Sequence, residues 1–140
     1  MAAPYKNLVA WQRADDLFIE VHRLTHQRFP KYEKYELGSQ LRRAAYSVPA
    51  NIVEGNAREH QGEAKQFLNV AAASLSEVGY GLHAATRLGY IEPATFERLD
   101  LLVRQTAAPL YGLLNRVRDG KPLLGQPRGK RREPVAARTK

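Results

Sequence analysis

Two histidines stand at a spacing that chemistry can use. His22 and His26 are four residues apart, so on a helix both imidazoles fall on one face, as metal ligands do. Glu20 points elsewhere, and no second segment carries the Glu-x-x-His pattern that completes metal sites in helical bundles. The pair reads more simply as two histidines flanking an apolar stripe, and no metal site is expected. His60 and His83 have no partner near in sequence. Ser47 and Ser74 lack the strand-turn-helix context of a nucleophile elbow. Gly79 and Gly81 form no phosphate loop; mid-helix, they suit close packing. The chain has no cysteine, which excludes disulfides, thiolate metal sites and cysteine nucleophiles. These residues point to no enzyme and no cofactor.

Basic side chains offer more. Arg42 and Arg43 are adjacent on a helical pattern and point about 100° apart. One suits an interface, and the other suits Glu36, Glu54 or a phosphate. The second cluster is C-terminal. Residues 120–140 hold seven basic side chains against one acid, +6 of the total +8, so residues 1–119 carry only +2. Arg128, Lys130, Arg131 and Arg132 suit phosphate contact through charge alone. The alternative for such a run is a solvated tail that aids solubility. Its Gly, Pro and Arg content cannot bury a core, so disorder is expected there.

Four apolar-periodic segments must position these groups, and none alternates with period two. The first spans about 8–28, with Ala10, Ala14, Leu17, Val21 and Leu24 as its stripe and Trp11 and Phe18 widening it. It stops at Phe29-Pro30. The second spans about 33–57, with Leu37, Leu41, Ala45, Val48 and Ile52 facing the core. Pro49 lies inside it and predicts a kink rather than a stop, because the apolar phase continues to Ile52. The third spans about 63–88 on Leu68, Ala71, Leu75, Val78, Leu82 and Ala85, with Gly89 as a C-cap. The fourth spans about 93–118 on Phe96, Leu99, Val103, Thr106, Leu110, Leu113 and Val117; Pro93 suits its start, and Pro109 predicts a bend. Short links predict an all-α, antiparallel up-down-up-down four-helix bundle over 1–119. No core stripe extends past Val117, which leaves 120–140 as the basic tail.

The second segment has an apolar face too many. Besides its core stripe it presents Tyr35, Tyr46, Pro49 and Val53, with Arg42 among them. That composition suits an interface, and Tyr80 on the third segment repeats the hint. Self-association through these residues is therefore expected, against the plainer alternative that scattered exposed apolar residues are normal.

The remaining classes are excluded by length and hydropathy. A chain of 140 residues suits one domain with a real core. The start, MAAPYKNLVAW, is no secretory signal. No apolar run approaches the ~20 residues that span a bilayer, so a soluble, cytoplasmic protein without membrane contact is expected.

The run Gln40-Leu41-Arg42-Arg43-Ala44-Ala45, then Ser47-Val48-Pro49-Ala50-Asn51-Ile52 and Glu54-Gly55, resembles the signature of the bacterial 23S rRNA intervening-sequence proteins. This four-helix bundle family includes the accessory variability determinant of diversity-generating retroelements. Leu8, Trp11, Ala14, Phe29-Pro30, Glu36-Leu37, Phe67-Leu68, Ser74-Leu75, Glu77 and Leu88-Gly89-Tyr90 match as well, over about residues 5–115. The resemblance implies a ring-like homopentamer with a central channel. In the retroelement branch it implies binding of nucleic acid and a reverse transcriptase. The nearly neutral body departs from that branch's basic surface and moves the nucleic-acid expectation onto the tail. The expected function is a non-enzymatic homo-oligomer that binds RNA or DNA, or a ribonucleoprotein. The alternative is a protein scaffold, for example for a reverse transcriptase, without direct RNA contact.

Overall fold

A computed structural model describes residues 4–123. Four helices account for most of it: α1 (Val9–Gln27), α2 (Leu37–Ala57), α3 (Gln61–Arg87) and α4 (Pro93–Arg118). Single 3-10 turns at Pro4–Asn7 and Lys31–Glu33 precede α1 and α2. α1 packs on α2 and α4, and α3 packs on α2 and α4, so the four helices close around one core. α2 runs antiparallel to its neighbours. Along it, Arg42 reaches Thr25 and Tyr46 meets Phe18 of α1, while Leu41, Ser47 and Gly55 meet Gly81, Ser74 and Ala64 of α3.

The apolar stripes become the core as the periodicity requires. Ala10, Ala14, Leu17, Val21 and Leu24 of α1 are buried, as are Leu41, Ala45, Val48 and Ile52 of α2. All six seam residues of α3 are buried too. On α4, Leu99, Thr106, Leu110, Leu113 and Val117 are buried, while Phe96 and Val103 pack at the edge. The Thr106 hydroxyl donates to the Leu102 carbonyl at 2.8 Å, so its burial leaves no orphaned donor. Both internal prolines are accommodated: α2 continues through Pro49 and α4 through Pro109.

Two boundaries differ from the expected ones. The second helix begins at Leu37 rather than near Glu33. Pro30 has extended backbone (φ −57°, ψ 149°), and the chain then makes one 3-10 turn with the Glu33 amide donating to the Pro30 carbonyl. Glu36 departs from helical geometry (φ −112°, ψ −105°) before α2 starts. Gly38 is needed just inside, because a Cβ there would lie 2.8 Å from the Glu33 carbonyl oxygen.

The second difference is at the C-terminal end, where the packed chain runs past Asp119. Gly120 takes φ +74°, its amide donates to Val117, and the Lys121 amide donates to Arg116. Gly89 ends α3 in the same way, with φ +79° and with Tyr90 donating to Ala85. Both ends are Schellman motifs, in which a left-handed glycine lets two amides satisfy the last carbonyls. Beyond the second, Arg116 donates through Nε and Nη2 to the Pro122 carbonyl (3.1 and 2.9 Å), and Leu123 is buried in the core. An apolar residue past a helix end carries no periodicity, which is why no stripe announced it.

Candidate functional site

Three of the residues expected at an interface come together. Tyr46, Pro49 and Val53 of α2 line a shallow groove with Trp11 and Phe18 of α1, and Ala50 completes its floor. Asp15 and Glu54 stand at its rim. Tyr46 is 60% exposed and meets Phe18 edge-on, with ring centroids 5.6 Å apart. Trp11 is steadied from the other end by Tyr5, at 5.0 Å and again edge-on. Pro49 is buried and Val53 half-buried, so they form floor rather than rim. Trp11 and Phe18 looked like a widening of the core stripe. They pack against the core yet turn toward α2, because a stripe wider than the core needs leaves side chains at the helix crossing.

The other expected interface residues lie apart. Tyr35 is 82% exposed ahead of α2, with the Lys34 ammonium 5.6 Å from its ring centroid. Tyr80 is 71% exposed on α3, beside His83. Neither lines the groove.

Arg42 makes contacts within the chain. Its Nη1 donates to Thr25 Oγ1 at 3.0 Å and its Nη2 to the Lys34 carbonyl at 2.7 Å. Thr25 in turn donates to the His22 carbonyl. One guanidinium thus braces the end of α1 against the turn that leads into α2. Planar, forked donors suit such bridging. Arg43 is exposed, and among the described residues it takes no ion-pair partner. Glu54, one of its expected partners, pairs with Arg58 at 2.7 Å, and that guanidinium also lies 4.7 Å from the Phe67 ring centroid. Arg128, Lys130, Arg131 and Arg132 lie outside the described residues.

A polar knot at the α2–α3 seam was not anticipated. Ser74 donates to Ser47 Oγ at 2.8 Å, and Asn51 Nδ2 reaches both the Ser47 carbonyl (2.7 Å) and its Oγ (2.9 Å). The signature residues Ser47 and Asn51 are thereby tied to Ser74 of the supporting match. Only the separation of four between Ser47 and Asn51 hinted at it, and spacing within one helix says nothing of a partner on another.

His22 and His26 are exposed near the C-terminal end of α1, with ring centroids 4.6 Å apart. Partial loss of hydration lowers the His26 pKa below 6.5, and the charges of Arg42, His22 and Lys34 lower it further. Among the described residues no group of three or more His, Asp or Glu is placed to hold a metal ion, and no helix is long and apolar enough to cross a membrane.

No curated protein matches the chain. A family model described as 23S rRNA-intervening sequence protein does match, over residues 6–112, a span that takes in α1, α2, α3 and most of α4 together with the groove and the polar knot, and the chain belongs to that family.

Proposed function

We propose that this chain is a non-catalytic bundle that self-associates through the α1–α2 groove and binds nucleic acid or a ribonucleoprotein partner. The observation that carries the reading is the groove. Trp11, Phe18, Tyr46, Pro49 and Val53 gather on one surface, beside a core already closed by Leu17, Val21, Val48 and Ile52. Aromatic residues gathered on a surface, with acids confined to the rim, are the composition of a binding patch. A ring of five copies, the assembly implied by the family resemblance, would also gather five basic C-terminal segments. Many weak phosphate contacts then act together.

The near-neutral body favours a second reading. With Arg42 engaged inside the chain and only +2 on residues 1–119, the folded part has little charge for phosphate. A scaffold for a protein partner such as a reverse transcriptase needs none.

Sedimentation at micromolar concentration tests the first element. A discrete species well above the 15.8 kDa of one chain is expected, and Tyr46→Glu should return it to monomer with helix content unchanged. A monomeric parent chain would remove the groove from the argument. RNA binding across a salt series tests the second. A truncation after Leu123 keeps the packed body and removes six of the seven basic C-terminal side chains. It should bind weakly and lose most of the salt slope, at roughly 0.7 log units per single-strand contact. If Arg43 supplies the affinity instead, Arg43→Ala will weaken binding more than the truncation does. Absence of RNA binding by the full chain at low salt would put the scaffold reading in front.

A further inference from the structure

The end of α1 carries a second feature next to the groove, where His22 meets Phe18 edge-on at 5.8 Å between ring centroids. His22 and His26 are exposed, one turn apart, and their ring centroids lie 4.6 Å from each other. A divalent transition metal sits about 2.0–2.1 Å from an imidazole nitrogen, which places the ion about 3.2 Å from the ring centroid. Two centroids at the observed separation then subtend about 90° at the ion, the angle between neighbouring ligands in tetragonal and octahedral coordination. The helix holds the two rings at chelating distance without any change of backbone.

We propose that His22 and His26 form a surface chelate for a divalent transition-metal ion of the copper, nickel and zinc class, with water completing its coordination. The brace beneath supports it: Thr25, between the two histidines, is held by Arg42, so the turn that carries both rings is anchored to α2. The nearby charges of Lys34 and Arg42 act against a cation, so the site is exchangeable rather than structural. The chelate does not depend on assembly, and its test does not either.

Titration calorimetry of the full chain with Cu²⁺, Ni²⁺ and Zn²⁺, each alone at neutral pH, should find one ion per chain, with Cu²⁺ bound most tightly. His22→Ala and His26→Ala should each weaken binding about a hundredfold, because the second ligand no longer benefits from the first. His60→Ala and His83→Ala should change nothing, and Lys34→Gln should tighten binding. Ni²⁺ should raise the melting temperature of the parent chain but not of His26→Ala, since only an ion bound to the folded helix stabilises it. Undiminished binding in the His22→Ala, His26→Ala double variant would overturn the proposal. So would loss of binding in His60→Ala or His83→Ala, or absence of Cu²⁺ and Ni²⁺ binding by the parent.

Discussion

The two sides of α2 are packed by opposite means. Toward α3, small residues let the helices close. A Cβ on Gly55 would sit 3.3 Å from the Ala64 carbonyl oxygen, and one on Gly81 would come within 2.6 Å of Leu41 Cδ1. The Ser47–Ser74 hydrogen bond fits in the same seam. Toward α1, the residues beyond the core are large. Phe18 and Tyr46 meet edge-on, and the space between them and Trp11 stays open as a groove. Glycine and serine permit close approach at the α3 seam, whereas the rings on the α1 side leave surface that one chain does not fill. The α3 side therefore holds the fold, and the α1 side has side chains to spare.

The sharpest test of that contrast lies in the seam. Leu68 is fully buried and lies where a Cβ on Gly55 would touch it. Leu68→Ala should cost about 3 kcal/mol in chemical denaturation, through lost burial and the cavity left behind. A cost below about 1 kcal/mol would mean that the seam collapses freely and is not tightly packed.

Glycines give the next effect, with opposite signs at two sites. Gly81→Ala drives a methyl into Leu41, an overpacking cost of about 1–3 kcal/mol that is partly offset by about 1 kcal/mol of helix propensity. A net loss is expected. Gly112 of α4 has nothing within 4 Å of its would-be Cβ, so Gly112→Ala should gain about 0.8 kcal/mol. Equal effects at the two positions would break the claim of close approach.

On the groove side, Tyr46→Glu should shift the denaturation free energy of the isolated bundle by about 0.5 kcal/mol or less, as exposed substitutions do. A loss of several kcal/mol would show that the groove is part of the core.

The smallest effect is a pH dependence. His26 has a pKa below its unfolded value of 6.5, so the unfolded chain binds more protons as pH falls through that value. Stability should decline as pH drops below about 6.5 and level off once pH is below the lowered folded value. His26→Gln should flatten this part of the profile. An unchanged profile would assign the dependence to another group.

Much of the fold was legible in residue order. Helical periodicity is local, so the stripes from Ala10 to Leu24 and from Leu68 to Ala85 named buried residues without knowledge of their partners. Gly89 announced its cap because it follows an uninterrupted stripe. The family could be read from the run between Gln40 and Gly55, since a signature is a property of order alone. Tertiary structure decided whatever depends on a second element. It decided that Arg42 reaches Thr25 and Lys34, because the turn before α2 brings a carbonyl within 2.7 Å. It carried the packed body past Gly120 to Leu123, because one residue beyond a helix end can be buried with no period to betray it. It gathered Tyr46, Pro49 and Val53 with Trp11 and Phe18 while leaving Tyr35 and Tyr80 apart. A sequence lists the faces of each helix; which faces meet is settled by the distance and register at which helices pack, and those are properties of pairs.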